Sequence, residues 1–255
     1  MAVAVDTSQG IAFPQDRLSG VARSSVIDRW IYVFTAASLI ATVFAGFIPD
    51  SIAKIAAVEE GKRPPFPIIL HAHAILMGSF LLLLLAQTVL VATGKRTWHM
   101  QLGVIGMVLA AAIVITGIFL APAMYHMSSV QDDILLLQIR AGFLFSAFMW
   151  IALRSRTRDA GLHKRLILLS ITAVLGAAIV RIHWLPTTFP GNGISLDFFT
   201  LLPLAPMFIW DLARNRRLHR AYVIWGMLFI PATAVVYALW DNPWWHATAH
   251  RMMGV

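Results

Sequence analysis

No cysteine occurs among the 255 residues. That absence removes disulfides, iron–sulfur clusters, c-type haem attachment, thiol nucleophiles and thiolate zinc sites from consideration. Charge is also scarce, at 13% of residues, and the acidic side is the poorer, with 12 Asp and Glu against 20 Lys and Arg. With 59% hydrophobic residues and a mean hydropathy of +0.75, the composition excludes disorder, collagen and coiled coil, and lies outside the soluble range. In place of charge there are seven apolar runs, at 30–48, 67–93, 102–124, 133–153, 166–185, 196–213 and 221–240. Each is close to the roughly 20 residues that a helix needs to cross about 30 Å of hydrocarbon. The fold expected is an all-α bundle of seven transmembrane helices.

The net charge of +8 and the pI near 10.6 raise the question of nucleic acid, and the positions of the basic residues answer it. Of the 20, 14 lie before the first run or in the loops after the second, fourth and sixth. Lys54, Lys62, Arg63 and Arg251 lie on the other side, and Arg140 and Arg181 lie inside runs. The excess of Lys and Arg on one side assigns that side to the cytoplasm, with the N-terminus inside and the C-terminus outside. Anionic lipid headgroups then account for the charge, and the partner is the lipid bilayer, with no nucleic acid. The expected location is the bacterial inner membrane. Residues 1–28 read as a cytoplasmic tail, 29–242 as the membrane domain and 243–255 as an outer tail; residues 51–60 read as two helical turns on the outer surface.

Trp98-His99-Met100, Leu162-His163-Lys164 and Leu218-His219-Arg220 each open an apolar run that ends at Pro122, Pro186 or Pro243. The repeat divides the chain into one lone helix and three hairpins, 2–3, 4–5 and 6–7. Because helical side chains lean toward the N-terminus, these three rings are expected to reach toward headgroups or loop carbonyls.

Six of the nine histidines lie on the outer side: His71, His73, His126, His183, His246 and His250. His71 and His73 point in nearly opposite directions on a helix. A stripe through His73, Met77, Phe80, Leu84 and Gln87 faces the interior if Gln87 is kept from lipid, whereas a small-residue stripe through Gly78 would carry His71 inward. Arg140 sits two turns into the fourth run, where a cation faces protein, water or a ligand, and Asp133 lies seven residues before it as a bridge partner. Arg181 can snorkel, or join Arg140 beside an outer histidine to hold an anionic ligand with a flat apolar body, such as haem propionates, a quinone or a lipid headgroup.

The stretch from His71-Ala-His-Ala-Ile-Leu-Met77 to Gly94-Lys-Arg-Thr-Trp-His-Met-Gln-Leu-Gly103 resembles the second-to-third helix hairpin of the ascorbate-reducible haem-b transmembrane cytochromes. It is also similar to a group of bacterial polytopic membrane proteins with a basic-loop His-x-x-Leu-Gly pattern. Those cytochromes carry four ligand histidines on four consecutive helices. The resemblance then offers His71 or His73 on helix 2, His99 on helix 3 and His163 or His183 on helix 5. Helix 4 has no histidine, so it implies one haem b rather than two, on the outer side between His73 (or His71) and His183, with Arg140 and Arg181 near its propionates. The function expected is single-haem or metal-dependent electron transfer, linked to a quinone or another membrane redox partner.

Two other readings stand beside it. His246-Ala-Thr-Ala-His250 has the i, i+4 spacing of a zinc pair, so an outer zinc or copper site using His126, His246 and His250 would make a metal-dependent membrane hydrolase. Alternatively the helices, rich in Gly and Ala, form a non-catalytic lipid-binding or assembly subunit of a larger membrane complex. A retinal protein is excluded, because residues 221–240 contain no lysine for a Schiff base.

Overall fold

The computed structural model describes residues 26–216 and 218–254, so the expected N-terminal tail lies outside the described residues up to position 25. Among the described residues ten α-helices follow one another: α1 (Val26–Glu59), α2 (Ile68–Ala92), α3 (Arg96–Met124), α4 (Ser129–Ser155), α5 (Ala160–Ser170), α6 (Thr172–Ile179), α7 (Ile194–Leu201), α8 (Ala205–Asn215), α9 (Arg220–Leu239) and α10 (Pro243–Met253). α5 and α6 act as one rod, as do α7 and α8 with the 3-10 turn Leu202–Leu204 between them. Seven helical units are therefore long and apolar enough to cross a membrane, and the chain is a multi-pass membrane protein.

Local chemistry explains where these rods begin and bend. The Asp159 carboxylate accepts the Leu162 N–H at 2.9 Å and caps α5, which starts the fifth span at residue 160 rather than at 166. Pro203 and Pro206 bring no N–H, and the backbone between them tightens into the 3-10 turn. Pro49 does not end α1. The separate surface helix expected at 51–60 is instead the last turns of α1, because one missing N–H is tolerated where neighbouring helices hold the rod. Asp50 supplies that hold: it accepts from Lys54 at 2.7 Å and from Arg181, beyond α6, at 3.1 Å.

The α5–α6 rod is the centre of the bundle, with 67% of its span buried, against 11% for α3. α4 packs along α5, α6 and α9, and α1 packs on α2, α6 and α8. Gly46 allows the closest approach, since a Cβ there would stand 2.2 Å from the Ala178 carbonyl oxygen. α2 and α3 pair closely and form a flank. The hairpins expected as 2–3 and 4–5 are present; in the third, the backbone of α9 packs most closely on α4 and α5, and its side chains meet α7 and α8 at both ends, Tyr237 at Asp197 and Tyr222 at Asp211.

The spans alternate in direction, so the loops gather at two ends. The basic end holds the start of α1, the loops 93–95 and 156–159, and residues 216, 218 and 219. The far end holds loops 60–67, 125–128 and 180–193. The expected C-terminal tail is there too, folded as α10 and docked on α4.

Candidate functional site

At the far end the sequence pointed to Arg140, and its partner differs from the one expected. Asp133 lies on the same helix, yet Arg140 donates its two Nη groups to the two oxygens of Asp197 in α7, at 2.9 and 2.8 Å. Nη1 also reaches the Thr233 hydroxyl at 3.0 Å, Tyr237 donates to the Asp197 carboxylate, and the guanidinium lies 5.4 Å from the Phe229 ring centre. Arg140 and Asp197 are both buried. A charge at this depth needs a counter-charge with its lone pairs filled, and four side chains from α4, α7 and α9 supply that. Asp133 instead accepts the Asp241 N–H at 3.1 Å. Arg181 does not join Arg140; it pairs with Asp50 and covers the Phe47 ring at 4.7 Å. Both arginines expected to serve an anionic ligand are thus matched to carboxylates.

A second far-end cluster surrounds Asp132, which is fully buried. Its oxygens meet the Tyr125 hydroxyl at 2.5 Å and the His246 Nδ1 at 2.9 Å, and its main-chain carbonyl accepts the Trp245 indole N–H at 2.8 Å. His250 Nε2 lies 3.2 Å from Oδ2, but its N–H is not aimed at that oxygen. Burial, then the hydrogen bond to Asp132 and its charge, pushes the Tyr125 phenol up from 10.0 to about 12. Of the histidine pair with zinc spacing, His246 therefore fastens α10 to α4, together with Trp245. His126 is exposed in the loop before α4, and among the described residues no three His, Asp or Glu side chains are grouped to hold a metal ion.

His73 and His183 are not brought together. The Thr116 hydroxyl donates to the Ala112 carbonyl at 2.8 Å, so its oxygen accepts from His73 Nδ1 at 2.8 Å, turning the imidazole toward α3. His71 is exposed, edge-on to Phe66. His183 is exposed in the turn after α6. The residues expected to ligate a far-end haem do not fit one there.

The basic end holds a second buried ion pair. Arg165 and Asp211 are buried and bonded in parallel, Nε to Oδ2 at 2.6 Å and Nη2 to Oδ1 at 2.9 Å, with the Tyr222 hydroxyl donating to Oδ2 at 2.7 Å. Asp197 and Asp211 are the visible signal: both acids lie inside the sixth apolar run, where a carboxylate has to face a cation.

At the same end lie Gln87, His99 and His163, from α2, α3 and α5. His163 Nδ1 contacts the Ala152 carbonyl oxygen at 2.8 Å. A carbonyl can only accept, so Nδ1 carries the proton and Nε2 keeps a free lone pair. His99 lies against the Gln87 main chain and close enough to His163 for their charges to interact. The His99 Nδ1 and both amide atoms of Gln87 are buried without a hydrogen-bond partner. Buried polar atoms without partners are rare in a folded chain and point to a missing ligand, ion or water. His219, the third repeated histidine, accepts the Ala221 N–H at 3.1 Å and caps α9.

Comparison of the chain with family models, with curated proteins and with solved structures finds no match.

Proposed function

We propose that the protein is a membrane electron-transfer protein holding one haem b at the basic end, between His99 of α3 and His163 of α5. The observation that carries this reading is the polar group gathered at the basic end from three helices, the His99 and His163 imidazoles and the Gln87 amide, in which the His99 Nδ1 and both Gln87 amide atoms are buried without a partner. The donor chemistry fits haem b. Neutral imidazoles from different helices would hold a haem iron, and a ligating histidine usually donates its other ring N–H to a carbonyl, as His163 does to Ala152. Arg96, in the first turn of α3, acts electrostatically on His99 and suits a propionate. Haem, when bound, supplies reversible one-electron transfer. The chain's own residues fix the His163 tautomer, set charge near His99 and keep bulk water out with the apolar walls of α2 and α3.

In this reading the basic end faces the cytoplasm of a bacterial inner membrane, following the excess of Lys and Arg, and the redox partner is a quinol or another membrane protein. A second reading is favoured by α3, which leaves Val104, Val108, Ile115, Ile118 and Phe119 exposed along one helix. Such a surface suits a non-catalytic subunit that packs in a larger membrane complex.

Absorption spectra of the purified protein, oxidised and dithionite-reduced, test the two. A Soret band that His99→Ala and His163→Ala each remove, and that His73→Ala and His183→Ala retain, is expected. No band in the wild type, after expression with added haem, leaves the assembly reading.

A further inference from the structure

At the basic end the last turns of α4 and the loop after it leave a groove of about 320 Å³, lined by Trp150, Leu153, Arg154, Arg156 and Thr157. We propose that this groove is a binding site for the headgroup of an anionic phospholipid. Its two arginines differ from Arg140, Arg165, Arg181, Arg214 and Arg220, each of which has a carboxylate partner. Among the described residues neither Arg154 nor Arg156 has one. Arg154 lies over the Trp150 ring, 5.4 Å from its centre, and Arg156 points Nη1 at the Met107 sulfur of α3, at 3.2 Å. A thioether is a weak acceptor, so both guanidinium forks keep donors for a phosphate.

The surroundings favour a phospholipid over a free anion. From the groove toward mid-bundle, Trp150 and Phe143 on α4 and Val104 and Val108 on α3 are exposed and apolar. Residues 143 and 150 are two turns apart on one face, as 104 and 108 are one turn apart, so the two helices offer a track for acyl chains below the arginines. A tryptophan at the level of the span ends is the usual neighbour of a headgroup. Each cation near such a surface adds about a fivefold preference for anionic lipid.

The test is native mass spectrometry of the full chain exchanged into mixed phosphatidylglycerol and phosphatidylcholine. Wild type is expected to retain phosphatidylglycerol on the order of 10-fold or more in preference. Arg154→Gln and Arg156→Gln should each cut that preference about fivefold, and Arg251→Gln, at the far end, should leave it unchanged. Thermal unfolding in phosphatidylcholine alone should be the same for all four proteins, which separates lost binding from lost fold. Equal retention of both lipids, or full preference in both groove variants, overturns the proposal. Release of the lipid by millimolar inorganic phosphate also overturns it, in favour of a free-anion site. Arg156 also acts electrostatically on His163, so Arg154→Gln reads the groove independently of the histidine pair.

Discussion

Replacing Arg140 by Met is the sharpest test of the packing. The change removes two hydrogen bonds to Asp197 and one to Thr233, and leaves a buried carboxylate that only Tyr237 contacts. Taking one partner from a buried, hydrogen-bonded ion pair costs about 3–5 kcal/mol, most of it from the charge left behind. Arg140→Met and Asp197→Leu should each fall in that range. The double variant leaves no charge, only the Tyr237 and Thr233 hydroxyls unpaired, and should cost about 1–3 kcal/mol. The coupling energy then comes to about 3 kcal/mol or more. Asp133→Asn keeps an oxygen for the Asp241 N–H and should cost under about 1 kcal/mol. Reversible unfolding in mixed micelles gives all four values. Simple additivity of the two single variants, or an Asp133→Asn cost equal to that of Asp197→Leu, would refute the assignment of Asp197 as the counter-charge.

Three further outcomes are expected. Gly46→Ala puts a Cβ into the Ala178 backbone, so α1 and α6 must part at a cost of about 1–3 kcal/mol, whereas Gly78→Ala meets nothing within 4 Å; equal melting temperatures for the two would contradict the close approach. The Tyr125 phenol holds its proton more tightly in the folded chain, so its contribution is complete below pH about 10 and is lost as the pH rises through about 12. Phenolate absorbance during alkaline titration should show that late midpoint, and Asp132→Asn should move it down; no movement would remove Asp132 as a cause. Asp132→Ala takes away the acceptor shared by Tyr125 and His246 and should raise amide exchange in residues 243–253 while α5 and α6 stay protected; unchanged exchange would show that α10 is held by its apolar contacts alone.

Much of the architecture is legible in the sequence because it depends on local quantities. The number of spans follows from run length, and the stripe through Phe80, Leu84 and Gln87 follows from helical period. Partner choice was less legible. Arg140 and Asp197 are 57 positions apart, and Arg165 and Asp211 are 46 apart, so no spacing rule connects them. Asp133, seven residues from Arg140, is nearer in the chain and farther in effect. The His246 and His250 spacing was read as a metal pair because the pattern does not reveal that Asp132 lies opposite. The tilt of helical side chains sends His99 and His163 toward headgroups or loop carbonyls; His163 does meet a carbonyl, that of Ala152, while the half-buried His99 lies against the Gln87 main chain, which no spacing reveals.

Composition and run length alone therefore determine a seven-span helical membrane protein with no thiol chemistry and its surplus of Lys and Arg gathered at one end. Tertiary structure alone decides which charges cancel. An ionised group buried among apolar side chains has to take the opposite charge that packing brings within hydrogen-bond reach, and the order in which the helices pack, rather than their order in the chain, sets that reach. For the same reason Arg140 and Arg181 are matched to carboxylates, while the His99 Nδ1 and the Gln87 amide are left without partners.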